Sequence, residues 1–130
     1  MKSKPQMWGF LLFPISVFLL LTTAGFGVLY SLLTLPFKMS CKSLILRWHQ
    51  YFMKMAVSID QLGNVVLQDL FNDLLLLPNS HQRFGNEDET ISSVLGKNKK
   101  NNSLSGVGKT LAQLLDRLDP NHVLDSIEQQ

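Results

Sequence analysis

The residues best suited to chemistry fall in one short run. Glu87, Asp88 and Glu89 are followed by Thr90, Ser92 and Ser93, which puts three carboxylates and three hydroxyls into seven residues. Carboxylate oxygens suit hard cations, and a carboxyl held near a reacting group suits acid/base work. Asp60 and His81 upstream, and Asp119, His122 and Asp125 downstream, are further groups that a fold could bring to this run. The candidate metal or acid/base set is therefore Asp60, Asp88, Glu89 and His122. Its spacing fits no known ligand frame: there is no H-E-x-x-H helix, no EF-hand loop and no Cys/His pair. Three acids adjacent on a helix also face different directions. Local structure accounts for the run without a site. Asn86 is a good N-cap, and Glu89 three positions on completes a capping box. The acids then sit in the first turn, where the helix dipole favours negative charge, and Gly96 stands where a terminating glycine belongs. The spacing predicts one short helix from Glu87 to Leu95, with no catalytic residue, metal ligand or cofactor site.

Gly106-Val-Gly-Lys-Thr110 resembles the end of a phosphate-binding loop. The first glycine of that loop would fall on Ser103, and the polar run Lys97 to Ser103 stands where a buried strand should be. Nucleotide binding is not expected. Lys97, Lys99, Lys100 and Lys109 lack interleaved aromatics, so nucleic acid is not an expected partner either. Cys41 is the only cysteine, which excludes an internal disulfide.

The elements that would position these residues begin with a membrane signal. The chain has 130 residues and carries no charged side chain between Lys4 and Lys38. The apolar core runs from Trp8 to Phe37, well beyond the roughly 20 residues that cross a bilayer. A retained single span is the leading reading. A hairpin turning near Ala24-Gly25-Phe26-Gly27 would leave two short arms. A cleaved signal ending near Thr22-Thr23-Ala24 conflicts with the apolar residues that continue past it. Pro36 is expected to mark the exit. Lys2, Lys4 and the amino terminus flank one end, and Lys38, Lys42, Arg47 and Lys54 the other. That bias places the following region on the cytoplasmic side of a bacterial inner membrane.

After the span, Trp48, Phe52, Met55, Ile59, Leu62, Val66, Leu70 and Leu74 recur at helical spacing. Lys38, Lys42, Arg47, Trp48 and Lys54 form the expected membrane-interface set, with rings at headgroup depth and cations toward anionic lipid. The helix either lies on the leaflet or packs against the rest of the domain, and Gly63-Asn64 can split it in two. Residues 78–86 and 96–103 read as loops. Leu104, Val107, Leu111, Leu114 or Leu115, and Leu118 make another helical face, and a last helix runs from about Pro120 to Glu128. The expected fold is all-α: a basic tail at 1–7, a transmembrane helix at 8–37, an amphipathic helix or helix pair at 38–77, and a small helical region at 78–130.

Ser58-Ile-Asp-Gln-Leu-Gly-Asn64, Phe84-Gly-Asn-Glu-Asp-Glu-Thr-Ile-Ser-Ser93, Asn121-His122 and Ser126-Ile-Glu128 together resemble a group of small uncharacterised proteins of bacteriophages, prophages and other mobile elements. The resemblance covers about Val57 to Glu128 and implies an origin, not an activity. Where phage-like relatives often carry an Arg after the middle motif, this chain has Val94. The expected function is that of a small single-pass membrane protein acting through protein or lipid interaction. Its partners would be the bilayer and either a second copy or another protein. Two alternatives are a membrane-tethered metal-binding or enzymatic module using the acidic cluster and His122, and a holin-like permeabilising protein.

Overall fold

The computed structural model describes residues 8–38 and 40–127. Every regular element among them is helical: α1 Trp8–Lys38, α2 Cys41–Val66, α3 Gln68–Leu74, α4 Ile91–Lys100, α5 Gly106–Leu118 and α6 His122–Asp125. The one extended pairing is an isolated antiparallel bridge between Leu76 and Leu104. The chain divides into two compact units, Met1–His49 and Gln50–Gln130.

In the first unit, α1 is a single unbroken helix of 31 residues with no buried residue. At 1.5 Å per residue it is about 46 Å long, against a hydrocarbon core of about 30 Å. It is the one helix among the described residues long and apolar enough to cross a membrane. The hairpin alternative fails, because the helix runs straight through Gly25 and Gly27. Pro36 lies inside the helix and does not end it. The side-chain hydroxyls of Ser16, Thr22, Thr23 and Thr34 donate back to the carbonyls of Phe13, Phe18, Leu19 and Tyr30, at 2.6 to 2.8 Å. The basic tail with Lys2 and Lys4 lies outside the described residues.

The second unit has a small core of Leu75, Leu76, Phe84, Val94, Leu95, Leu104, Ala112 and Val123, with Phe71, Ile91, Leu111 and Leu115 packed at its edge. Phe71 and Phe84 meet edge to face, 5.4 Å between centroids. As many polar residues are buried as core apolar ones: Asn64, Ser80, Glu89, Thr90, Ser92, Ser93, Asn98 and Ser103. Among the described residues, no buried side-chain polar atom lacks a partner. That matters because an unpaired buried polar group costs about 1–3 kcal/mol, enough to cancel a buried methyl-sized contact.

Three asparagines supply most of this satisfaction. Asn64 donates to the carbonyls of Asn86 (2.9 Å) and Glu89 (2.7 Å) and accepts from the Gly85 amide (3.0 Å). Asn72 donates to the Phe84 carbonyl and accepts from the Phe84 amide. Asn98 donates to the carbonyls of Gln82 and Val94 and accepts from the hydroxyls of Ser80 and Ser103. The segment between α3 and α4 is irregular as expected, but it is pinned along its length by these side chains.

Several boundaries differ from the sequence reading. The helix pair is present, but its break falls at Leu67, and α2 continues through Gly63-Asn64. Asn64 does not break the helix because its amide bonds the 85–89 turn and not its own backbone. The short helix starts four residues later than expected. Thr90 is its N-cap, accepting from the Ser93 amide at 3.2 Å. Asn86 instead turns the chain, its side chain accepting from the Asp88 amide. Gly96 is interior to α4, not its terminator, so the expected loop at 96–103 is mostly helix. The last helix is only His122–Asp125; Pro120 precedes it, and Glu128 lies outside the described residues.

The apolar stripe of α2 and α3 does not build the core. Met55, Ile59, Leu62, Val66, Leu70 and Leu74 are exposed, Ile59 and Val66 at 65%. The side of α2 that is buried carries Asn64, which is fully buried.

Candidate functional site

Four helices of the second unit border an open cavity of about 440 Å³. Met53, Ala56, Val57 and Asp60 line it from α2, Thr90 and Ser92 from the start of α4, Leu115 from α5, and His122 and Ser126 from the α6 region. The lining mixes apolar side chains with hydroxyls, a carboxylate and an imidazole.

His122 is the pivot. Its Nδ1 lies 3.1 Å from Asp119 Oδ2, and its Nε2 lies 3.3 Å from Ser92 Oγ. A carboxylate only accepts, so Nδ1 faces Asp119 with its proton, and in the neutral ring Nε2 accepts from the Ser92 hydroxyl. Ser92 is buried and sits in the first turn of α4, and its amide approaches Asp60 Oδ2 at 3.4 Å. Local structure holds the histidine in place. The His122 amide donates to the Asp119 carbonyl, and Ser126 Oγ donates to the His122 carbonyl at 2.6 Å.

The position of α6 itself depends on Asp116. One of its oxygens pairs with the Lys99 ammonium and the other accepts from the Val123 amide at 3.2 Å. The hydrogen bond from Lys99 holds the Asp116 carboxyl below the ordinary carboxylate range. Burial opposes this, while the Val123 amide and the Lys99 charge reinforce it. On the opposite side of the contact, Gly96 lets the Val123 carbonyl lie against α4, where any Cβ would stand 1.8 Å from that oxygen.

The structure divides the acidic run. Glu89 is buried, its carboxylate accepting from Ser93 Oγ at 2.7 Å and pairing with Lys97 at 2.6 Å. Asp88 and Glu87 are exposed. Asp60 and His122 do line one cavity, so two of the four candidates come together and the acidic pair does not join them. Among the described residues, no group of three His, Cys, Asp or Glu side chains could hold a metal ion. His81 and Asp125 are exposed on other segments. Sequence reasoning missed Ser92, whose approach to His122 spans 30 residues. His122 is in the candidate set, but the sequence pairs it with the carboxylates of the run and not with the Ser92 hydroxyl.

The Gly106-Val-Gly-Lys-Thr110 segment opens α5 with Ser105 as N-cap. Gly108 is there for close approach: a Cβ would lie 2.2 Å from the Leu75 carbonyl oxygen. Of the expected interface residues, Lys38, Lys42, Arg47 and Lys54 are exposed and Trp48 is half-buried. Lys38 lies over the Tyr30 ring, 5.8 Å from its centroid.

No family model, curated protein or solved structure matches the chain.

Proposed function

We propose that this chain is a single-pass protein of a bacterial inner membrane that works by contact between copies of itself, with its helical domain on the cytoplasmic side. The observation that supports the tether is α1: 31 residues, none buried, with its hydroxyls bonded to its own carbonyls. In lipid such back-bonding removes the cost of an unpaired polar group. The basic excess after the span supports the orientation.

The exposed stripe supports the contact. Met55, Ile59, Leu62 and Val66 are spaced four, three and four, with β-branched residues alternating with Met and Leu, the pattern of a parallel two-stranded seam. Copies that share one span share one direction, so parallel pairing is the geometry open to them. Between Met55 and Leu77 there are three acids and no Lys or Arg. A helix bound to anionic lipid carries a basic rim, so this stretch favours a protein surface over the leaflet. The resemblance to phage and mobile-element proteins adds an origin to the reading and nothing about activity.

Carbonate washing of vesicles tests the tether: the intact chain stays with the membrane, and release into the supernatant ends the reading. Cross-linking in the same vesicles tests the contact. Dimers form with the native chain, and Ile59→Asp lowers them at least about tenfold, since a charge at a seam position opposes pairing. Unchanged cross-linking would remove the self-contact.

A further inference from the structure

We infer that Ser92, His122 and Asp119 form a nucleophile, base and orienting carboxylate able to cleave a neutral, short-chain acyl ester held in the cavity beside them. The connectivity of the three side chains carries this, independently of the membrane reading. Ser92 Oγ is 3.3 Å from His122 Nε2, and His122 Nδ1 is 3.1 Å from Asp119 Oδ2. That order, hydroxyl to imidazole to carboxylate, is what turns a weak alcohol into a nucleophile. The three residues come from two elements and the turn between α5 and α6, so no single local motif produces the arrangement.

The surroundings suit the chemistry. Ser92 is buried and lines the cavity together with His122, so a bound ester would meet both. Its own amide belongs to the first turn of α4, where N–H groups have no partner within the helix. That amide donates to Asp60 Oδ2 at 3.4 Å, which fixes the start of α4 against α2. Met53, Ala56, Val57 and Leu115 offer apolar contact for a short acyl chain. The Asp60 carboxylate in the same cavity opposes an anionic substrate.

The reaction balances with water as the only co-reactant. Ser92 Oγ bonds to the ester carbonyl carbon as its proton passes to His122 Nε2. The carbon–oxygen bond to the alcohol breaks, and the alcohol leaves with that proton. Water then attacks the acyl carbon and gives a proton to Nε2; the bond to Ser92 Oγ breaks, the carboxylic acid leaves, and the serine recovers its proton. Asp119 touches no reacting atom and is a positioning residue: it fixes the ring so that Nε2 faces Ser92.

The full chain in detergent, treated with a fluorophosphonate probe and mapped by mass spectrometry, tests this. The adduct is expected on Ser92, absent from Ser92→Ala, and formed at least about a hundredfold more slowly in His122→Gln, the scale of lost base catalysis. Hydrolysis of 4-nitrophenyl butyrate should follow the same order. Asp119→Asn should lower kcat and change the pH dependence of kcat, a change that a smaller folded fraction would not give. Circular dichroism establishes that each variant keeps its helices. A native chain that takes no probe at Ser92, or takes it equally well with Gln at position 122, overturns the inference.

Discussion

Helices α1 and α4 both carry glycine in their interiors, and the two are held to their sequences by different things. A Cβ added at Gly25 or Gly27 in α1 meets nothing within 4 Å. One added at Gly96 in α4 stands 1.8 Å from the Val123 carbonyl oxygen and 2.9 Å from the Ile127 side chain. The first helix is constrained only in overall character: length, apolarity and absence of charge. The second is constrained atom by atom, by a backbone that passes too close for any side chain. An interior glycine normally costs a helix about 0.5–1 kcal/mol relative to alanine, so alanine should help unless space forbids it.

That contrast gives the largest expected effect. Gly96→Ala should destabilise the second unit by about 3 kcal/mol, the range of overpacking in a tight core. For a domain of this size, such a loss lowers Tm by more than about 10 °C. Gly25→Ala, which meets no neighbour, should not destabilise and should gain at most about 1 kcal/mol. Thermal melts of both variants in the same detergent check the pair. Equal behaviour would mean that α6 does not rest on α4 as described.

How much could be read in advance follows the same division. The uncharged run from Trp8 to Phe37 needs no partner to be recognised, and α1 matches it to within one residue. The all-helical class was equally legible, because the apolar periodicities are local. The register of α4 was not. Asn86 and Glu89 satisfy a capping box on paper, but Asn64 claims both of their carbonyls from 22 and 25 residues away. Lys97 and Ser93 then claim the Glu89 carboxylate. Asn98 sits in a run that reads as a solvated loop, yet it is fully buried. Nothing in its neighbours announces Gln82 or Ser80 as partners. The meeting of Ser92 with His122 was hidden for the same reason: it depends on α6 folding back over α4, which Gly96 permits and Asp116 secures.

A second prediction sharpens the comparison on the polar side. Asn98→Ala removes the acceptor that the Ser80 and Ser103 hydroxyls share, leaving them the Gln82 and Asn98 carbonyls, and removes the side-chain donor to the Gln82 and Val94 carbonyls. The expected loss is about 2 kcal/mol, the scale of an unsatisfied buried group partly relieved by entering water. Hydrogen exchange should show the segment before α4 opening first, because Asn98 is one of the side chains that pin it. A uniform loss of protection across the second unit would show that Asn98 serves the core as a whole.

The smallest effect concerns the polar tie that brings α6 back to α5. Asp116 has a carboxyl held below its ordinary range, chiefly by the hydrogen bond from Lys99. A carboxyl that is more acidic folded than unfolded contributes stability above its unfolded pKa of about 3.9, and that contribution is lost as pH falls through the folded value. Native and Asp116→Asn proteins should therefore differ by a constant amount above about pH 5 and converge only once pH has fallen through the lowered folded value, below the ordinary carboxylate range, where both carry a neutral group. The difference should be smaller than either loss above, because Lys99 is partly exposed and solvent screens the pair. Salt should shrink it further. Melting both proteins across that range, at low and high salt, separates the tie from the glycine contact beneath it: Gly96→Ala should cost the same at every pH, because a carbonyl pressed against a methyl has nothing to titrate.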